Sequence, residues 1–132
     1  MNNPSPEHQM LVKAMLDHFT SQLNYSIVTV AYTGYDEPEK HGKHEPDIVA
    51  KDANGLIQLA EAKIGDDLSS ETTQEQFEDF SKRIMSDSSS LAGREIPFHI
   101  IVFQKDEAQL RVILNNLKLG HLIDSRIHIW TL

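Results

Sequence analysis

A tight turn between two short apolar runs sets the strongest limit on how this chain can fold. The runs cover residues 46–51 and 56–64, and between them lies the four-residue turn Asp-Ala-Asn-Gly at 52–55. Strands joined by so short a turn can pair only as antiparallel neighbours in one sheet. The sequence therefore predicts a β-hairpin in the first half of the chain, and the other elements have to be placed around it.

Helix and strand signals place the other elements of the first half of the chain. Ser5 and Pro6 form a helix start, because a capping hydroxyl precedes a proline at the first helical position. Apolar residues then recur at helical spacing over residues 6–23, and the β-branched run at 26–32 predicts a strand. Residues 33–44 are polar and predict a loop that leads into the hairpin.

The second half of the chain alternates helices and strands. A capping box at Thr72 and Glu75 predicts a helix to about Met85, followed by a connector at 86–90 and a strand at 98–103. The pattern Asp106-x-x-Gln109 predicts the start of a further helix, which ends near Gly120 and is followed by a strand at 126–132. The complete order is αβββαβ followed by αβ. A helical crossover after a three-strand meander implies an α/β fold with a mixed central sheet and helices on both faces.

Length and composition limit the class of protein. The chain has 132 residues, no cysteine and a formal net charge of -8. This length fits one domain, residues 1–132, that can bury a core without disulfides, and the missing cysteines exclude thiolate zinc sites and cysteine nucleophiles. The longest apolar stretch, 96–103, is too short to span a bilayer, and the N-terminus lacks the basic and apolar regions of a signal peptide. We therefore expect a soluble cytoplasmic protein.

The negative charge is concentrated in one segment. Residues 66–79 contain six Asp or Glu and no Lys or Arg, whereas Lys and Arg outnumber Asp and Glu from residue 80 to the C-terminus. A negative net charge argues against general affinity for nucleic acid, because phosphate binders usually carry a basic surface. The uneven distribution weakens this objection. The negative net charge still predicts weak, salt-sensitive and metal-dependent binding of nucleic acid, or a partner that supplies further contacts.

One cluster of residues has the parts of a hydrolytic site. Asp47 follows Pro46 on the first strand of the hairpin, and Glu61 and Lys63 lie on the second. Two carboxylates on adjacent strands can bind one hard divalent cation, typically Mg²⁺, which lowers the pKa of a water and polarises a phosphate. Glu61 and Lys63 are two positions apart and point to one face, so Lys63 could orient or deprotonate the attacking water, or stabilise charge at phosphorus. Together these groups predict a phosphodiester hydrolase.

The register of the hairpin decides whether the two carboxylates can meet. A type I turn followed by a glycine bulge makes a three-residue loop, which pairs Asp52 with Leu56 and puts Asp47 opposite Glu61 on the same face. A two-residue Asn-Gly turn instead puts Asp47 opposite Ala62 and turns the carboxylates to opposite faces. The metal-site hypothesis therefore requires the three-residue loop.

The Glu-x-Lys pattern has a competing interpretation. Charged residues are common on strand surfaces, so Glu61 and Lys63 could belong to a solvated strand face on which the lysine forms a salt bridge. However, Lys63 is the only lysine in the chain with Asp or Glu two positions before it. A solvated face also agrees poorly with the apolar residues that surround this pair over 59–64, in what is predicted to be a central strand.

With these residues in this order, the sequence resembles the PD-(D/E)xK nuclease superfamily, which has the restriction-endonuclease-like fold. The resemblance covers residues 7–103, and the family core has the same αβββαβ order. It implies that Asp47 and Glu61 are metal ligands, that the Ala62 carbonyl is a further ligand, and that Lys63 is the catalytic lysine. The implied cofactor is Mg²⁺ or Mn²⁺. The implied reaction is the hydrolysis of DNA by water, which leaves a 5′-phosphate.

Other positions match the family less closely. Many members have a carboxylate on the first helix near the metal, which Glu7 matches, although a role as a partner of the helix dipole is the alternative. Exonuclease-like members carry Gln-apolar-x-x-Tyr on the helix after the lysine. Here Gln76 begins a similar run that ends in Phe80, so Gln76 is a candidate for positioning substrate or lysine. The small size is similar to that of the Holliday-junction resolvases, which are basic dimers, and a homodimer is expected.

Several further side chains are candidates for binding. Lys40 and Lys43, in the loop before the hairpin, could contact the DNA backbone. We expect His41 and His44, in the same loop, to be solvated rather than metal ligands. Trp130 is expected to anchor the last strand or a dimer contact rather than to stack on a base.

The leading hypothesis from the sequence is therefore a Mg²⁺-dependent nuclease that acts on DNA. Two alternatives stay open. One is a catalytically inactive protein of the same fold that serves in binding or assembly, which the acidic composition favours. The other is an unrelated α/β interaction domain in which the carboxylates have no catalytic role.

Overall fold

The helices and strands of the chain follow the predicted order. The computed structural model describes residues 5–30, 44–86 and 90–132. Its elements are α1 (Pro6–Asp17), β1 (Ser26–Val30), β2 (Ile48–Lys51), β3 (Ile57–Ala62), α2 (Glu71–Phe80), β4 (Phe98–Val102), α3 (Glu107–Asn116) and β5 (Ile127–Thr131). A π-helical turn, His18–Gln22, continues α1 to nearly its predicted length. Most of the predicted loop at 33–44 and the centre of the predicted connector at 86–90 lie outside the described residues.

The five strands form one mixed sheet in the order β1-β2-β3-β4-β5. The pairs β1–β2 and β2–β3 are antiparallel, whereas β3–β4 and β4–β5 are parallel. Each parallel connection contains a helix, α2 or α3, as a crossover between parallel strands requires. The predicted α/β fold with a mixed sheet flanked by helices is confirmed. No helix in the described ranges combines the length and the apolar character that crossing a membrane needs.

Apolar side chains cover both faces of the sheet. On one face, residues of α1 pack against Ala60 and Ala62 of β3. On the other, residues of α2 and α3 pack against Leu59 and against Phe98 of β4. Because side chains alternate along a strand, Glu61 shares the face of Leu59. The side chain of Glu61 therefore lies on the face of the sheet that α2 and α3 cover.

The turn between β2 and β3 has the predicted three-residue loop. The backbone N–H of Asp52 donates to the carbonyl of Leu56 at 3.0 Å, and the N–H of Gly55 donates to the carbonyl of Asp52 at 3.0 Å. Gly55 has φ +87°, the left-handed conformation that the glycine bulge requires. The alternative two-residue turn is thereby excluded.

Replacing Gly55 by alanine should destabilise the protein by about 1–2 kcal/mol, because a Cβ is disfavoured at positive φ. The matched control is Asn54→Ala, an exposed position in the same turn where only the backbone N–H bonds to Asp52. Urea unfolding of both variants checks this. Equal stabilities of the two variants would contradict the assignment of the loop.

The start of α2 differs from the prediction. The N-cap is Ser70, whose Oγ accepts a hydrogen bond from the backbone N–H of Thr73 at 3.1 Å. The predicted capping box at Thr72 and Glu75 is wrong, because Ser70 supplies an equivalent hydroxyl two residues earlier. The hydroxyl of Ser70 also donates a hydrogen bond to the hydroxyl of Thr73 at 2.9 Å, which further stabilises the N-terminus of α2.

The ends of α2 and α3 also differ from the predictions. α2 ends at Phe80 rather than near Met85, because the chain turns back there and the N–H of Met85 bonds to the carbonyl of Arg94. α3 ends at Asn116, and the left-handed residue after it is Lys118, at φ +63°, rather than Gly120. The lysine takes this conformation because the N–H of the next residue bonds back to the last turn of α3.

Candidate functional site

The register of the hairpin brings Asp47 and Glu61 together. Lys51 pairs with Ile57 and the register continues along the hairpin, so that Asp47 lies opposite Glu61. The backbone N–H of Asp47 donates to Glu61 Oε1 at 2.7 Å, and the N–H of Ala62 donates to Asp47 Oδ2 at 2.9 Å. Each carboxylate is thus held by the backbone of the opposite strand. The predicted placement of both carboxylates on one face is confirmed.

Lys63 follows directly after β3 and its side chain is held at two points. Its Nζ donates to Gln76 Oε1 at 2.5 Å and lies 3.6 Å from Glu61 Oε2. The side chains of Glu61 and Lys63 are only 3% and 14% exposed. The pair therefore does not lie on a solvated strand face, as the competing interpretation would require. We call Asp47, Glu61 and Lys63 the carboxylate–lysine site.

Burial controls the protonation of Glu61. Its pKa is raised well above the usual range, first by burial and then by the negative charge of Asp47, whereas Lys63 acts in the opposite direction. Asp47 disfavours a second negative charge beside it, and Lys63 offsets this effect only in part. A bound cation would favour the ionised form of Glu61, because opposite charge lowers the pKa of a carboxyl group.

His8 also belongs to the site, although no motif in the sequence marks it as a candidate. Its Nε2 lies 3.1 Å from Asp47 Oδ2. Burial lowers the pKa of His8, but the hydrogen bond to Asp47 and the charge of Asp47 together outweigh burial, so the pKa is raised. The only signal in the sequence was its place beside Glu7 in the first turn of α1. His8 holds Asp47 from the side of α1, while β3 holds it through Ala62.

The other predicted site residues have different positions. Gln76, on α2, bonds directly to Lys63, as expected for a group that positions the lysine. Glu7 is exposed and lines a cleft beyond the ends of β3 and β4 rather than contacting Asp47. Lys40 and Lys43, the predicted contacts to DNA, lie outside the described residues, as does the neighbouring histidine at 41.

His44 is not solvated, and that expectation is wrong. Its Nδ1 lies 3.1 Å from Asp79 Oδ2 and its Nε2 lies 3.9 Å from Glu75 Oε2. Its side chain is only 17% exposed, because the segment before β2 lies against α2. Asp79 also pairs with Arg83, so this one acidic residue of 66–79 is buried while most of the others are exposed.

Trp130 anchors the last strand, one of its two predicted roles. Its indole Nε1–H donates to Nδ1 of His99 at 3.0 Å, which joins β5 to β4. The indole also packs on the ring of His18, with a centroid separation of 4.0 Å. The contacts between these three rings tie the end of α1 to the sheet.

The donor set determines which metals the site suits. In the described part of the chain, no group of three or more His, Cys, Asp or Glu side chains is arranged to hold a metal ion. Asp47 and Glu61 supply two carboxylates, and Asp47 Oδ1 makes none of the hydrogen bonds that hold Oδ2. Carboxylate oxygens suit Mg²⁺, which needs few protein ligands because it keeps several waters. The residues present therefore fit a hydrated Mg²⁺ or Mn²⁺.

Comparison with known proteins gives no relative from which a function could be transferred. No family model, no curated protein and no solved structure matches this chain. The chemistry of the carboxylate–lysine site is therefore the basis for a functional proposal.

Proposed function

We propose that this chain is a metal-dependent nuclease of the PD-(D/E)xK type, with a restriction-endonuclease-like core, that hydrolyses phosphodiester bonds in DNA. The supporting observation is the meeting of Asp47, Glu61 and Lys63 in one partly buried cluster, held by backbone and side-chain hydrogen bonds. These groups are the ones that metal-assisted attack of water on a phosphodiester needs. The order of helices and strands agrees with this assignment.

Asp47 and Glu61 would hold Mg²⁺ or Mn²⁺, with the Ala62 carbonyl as a further ligand. When bound, the ion would polarise the phosphate and lower the pKa of the attacking water. The carboxylates are pre-positioned for this role, because each accepts a hydrogen bond from the opposite strand and needs no rearrangement of the hairpin. His8 is a positioning residue that keeps Asp47 Oδ2 in place.

Lys63 would supply the remaining chemistry. An ammonium group has three N–H donors, of which one bonds to Gln76. The others can serve Glu61 and the attacking water or a phosphate oxygen. The positive charge at Nζ would stabilise the negative charge that develops on the phosphate oxygens during attack. Gln76 is therefore a positioning residue, which limits the directions in which Nζ can point.

The exposed acidic side chains of α2 limit how a nucleic acid can bind near the site. Glu71, Glu75 and Glu78 are exposed on α2, next to the site, and would repel a duplex. Lys40 and Lys43 would provide contacts to the DNA backbone. A homodimer would provide further contact surface, and its interface would include the exposed apolar side chains of Val112 on α3 and of the C-terminal Leu132.

The proposal is tested by incubating the purified chain with duplex, branched and single-stranded DNA, and with RNA. We expect cleavage of DNA with Mg²⁺ or Mn²⁺, none with EDTA, and none by the Asp47→Ala variant. Absence of cleavage of every substrate with either ion would overturn the proposal.

A second candidate is a protein of the same fold that binds a partner without catalysis, which the exposed acidic side chains of α2 favour. A calorimetric titration with Mn²⁺, run on the preparation used for cleavage, separates the two. Binding of Mn²⁺ without cleavage would support the non-catalytic role. No binding and no cleavage would favour an unrelated interaction domain.

Replacing Gln76 by alanine should lower the rate of cleavage by about ten-fold to a hundred-fold, because Lys63 loses the acceptor that orients it. The loss should appear in kcat, with KM almost unchanged. Gln74→Ala is the matched control, since Gln74 lies on the same helix but bonds to the backbone of Ser69. Equal rates for both variants would argue against the positioning role.

A further inference from the structure

The turn between β2 and β3 contains a chemically reactive pair of residues, Asn54 and Gly55. Asn54 is the only asparagine of the chain that is followed by glycine. The backbone nitrogen that follows an asparagine can attack the side-chain amide, and glycine hinders this attack least because it has no side chain. The same pair lies in the loop whose length sets the register of the hairpin. A reaction at this position would therefore change the element that brings the two carboxylates of the candidate site together.

The structure leaves both reacting groups accessible. Asn54 is exposed, and it is its backbone N–H, not its side-chain amide, that donates to Asp52 Oδ1 at 2.9 Å. Around Gly55 the described part of the chain is open, since an added Cβ would meet only Leu91 Cδ1, at 3.9 Å. The side-chain amide of Asn54 can therefore turn towards the nitrogen of Gly55 without displacing a neighbour.

One hydrogen bond opposes the attack. The N–H of Gly55 donates to the carbonyl of Asp52 at 3.0 Å, and this bond has to open before the nitrogen can react. A single hydrogen bond in an exposed turn contributes little net free energy, so it slows the reaction by no more than about ten-fold. Asn115 and Asn116, in contrast, belong to the last turn of α3, where helical hydrogen bonds hold the nitrogens that would attack.

We propose that Asn54 is a site of spontaneous deamidation, and that the isoaspartate formed there disrupts the register of the hairpin. In the first step the nitrogen of Gly55 loses its proton and forms a bond to Cγ of Asn54. The bond between Cγ and Nδ2 breaks, and Nδ2 takes up a proton and leaves as ammonia. The product is a five-membered succinimide ring that contains the nitrogen of Gly55. This reaction depends on the loop and not on the proposed nuclease function.

Water then opens the succinimide in one of two ways. Attack at Cγ breaks the bond between Cγ and the nitrogen of Gly55 and gives aspartate, which keeps the length of the backbone. Attack at the main-chain carbonyl carbon of residue 54 breaks the bond between that carbon and the same nitrogen. The backbone then runs through Cβ and Cγ and is one atom longer. This second product is isoaspartate.

The added backbone atom falls inside the loop that determines strand pairing. Three hydrogen bonds close the loop. The N–H of Asp52 donates to the carbonyl of Leu56, the N–H of Gly55 donates to the carbonyl of Asp52, and the N–H of Leu56 donates to Asp52 Oδ1 at 3.0 Å. All three span the bond between residues 54 and 55, so an extra atom at that bond changes every one of them.

A change in the loop reaches the carboxylate–lysine site through the hairpin. Pairing is continuous from the loop towards Asp47 and Glu61, and a slip by one residue would turn one carboxylate to the opposite face. The N–H groups of Asp47 and Ala62 each donate to the carboxylate of the opposite strand. Their amide chemical shifts therefore report whether the native register is kept.

Ageing of the full chain in mildly alkaline buffer tests the modification, because the attacking nitrogen has to lose a proton. Digestion and mass spectrometry should show conversion of Asn54 into an acid at least about ten-fold faster than that of Asn115 or Asn116. An isoaspartyl methyltransferase should transfer a labelled methyl group to the aged chain. Equal rates at the three asparagines, or an unmodified Asn54, would overturn the proposal.

Asn54→Gln is the matched variant for the chemistry. It keeps a side-chain amide and the loop length, but attack by the nitrogen of Gly55 would have to close a six-membered ring, which forms far more slowly. Because the position is exposed, its urea midpoint should be close to that of fresh wild type. It should accept no methyl label at this loop after ageing. Labelling of this variant to the level of the wild type would overturn Asn54 as the site.

Asn54→Asp separates the effect of charge from that of loop length, since it adds the same charge without lengthening the backbone. In this variant the amide shifts of Asp47 and Ala62 should match those of fresh wild type. In the isoaspartate fraction, separated by chromatography, these shifts should move and the urea midpoint should fall. An isoaspartate fraction with unchanged shifts and midpoint, or an equal change in Asn54→Asp, would overturn the effect on the register. Neither readout uses cleavage, so a chain without nuclease activity would be tested equally well.

Discussion

Replacing Lys63 by alanine is expected to lower metal-dependent cleavage of DNA by about a thousand-fold, while the protein keeps its fold. Removal of one pre-positioned group that stabilises transition-state charge costs about 10²–10³ in rate, and Lys63 would also orient the attacking water. The loss should appear in kcat at saturating metal, as measured by initial rates on a labelled oligonucleotide.

The fold should survive this change because Glu61 can become neutral. Its pKa is already raised by burial, so losing the ammonium of Lys63 leaves a protonated carboxyl group rather than an uncompensated buried charge. Lys51→Ala is the matched control, because Lys51 is exposed on the neighbouring strand β2. If Lys63→Ala cuts as fast as the control, the assignment of Lys63 as the catalytic lysine is wrong.

Acid should destabilise the protein through His99, by about 2 kcal/mol between pH 7 and pH 5. Burial, followed by the neighbouring His128 and His18, lowers the pKa of His99 to about 3. Nδ1 accepts from Trp130 and Nε2 donates to Gln58 at 2.8 Å, so both ring nitrogens are satisfied in the neutral form. A proton on Nδ1 would face the indole N–H.

Proton linkage explains why the free energy of unfolding falls as the pH falls. Below pH 6.5 the unfolded chain binds a proton at His99 that the folded chain does not bind, so this contribution to stability is complete above pH 6.5 and is lost as the pH falls towards 3. Urea unfolding at several pH values measures it. The variant His99→Gln should lose about 2 kcal/mol less than the wild type over this range, whereas His121→Gln, at an exposed position, should behave like the wild type. Parallel pH curves for wild type and His99→Gln would refute the role of His99.

Local signals in the sequence were enough to predict the hairpin, but they left two registers open. The Asp-Ala-Asn-Gly turn allows a three-residue loop, in which Gly55 takes a positive φ after a type I turn, and also a two-residue Asn-Gly turn, which the structure excludes. Once the loop length is known, strand pairing is determined residue by residue, and Asp47 has to lie opposite Glu61. The sequence could therefore supply the candidate site only as a hypothesis that depends on the three-residue loop.

Helix boundaries were predicted less well, because several residues compete for each end. Ser70 and Thr72 both carry a hydroxyl that could cap α2, and in the structure Ser70 is the residue that accepts from the N–H of Thr73. After the C-terminal end of α3, Lys118 rather than Gly120 takes the left-handed conformation. Gly120 lies close to the side chain of Asn115, which would have to move to make room for a Cβ at this position.

The sequence by itself determined the order of helices and strands and the position of the hairpin, since these depend on periodicity and turn chemistry within a few residues. The structure decided between the two possible registers of the hairpin, and so placed Asp47 opposite Glu61. The tertiary structure alone decided which groups join them from elsewhere in the chain. His8 reaches Asp47 across 39 positions, and the carboxyl group of Asp106 lies against Gly65. Such contacts depend on how α1 and α3 pack on the sheet, and no local pattern encodes them.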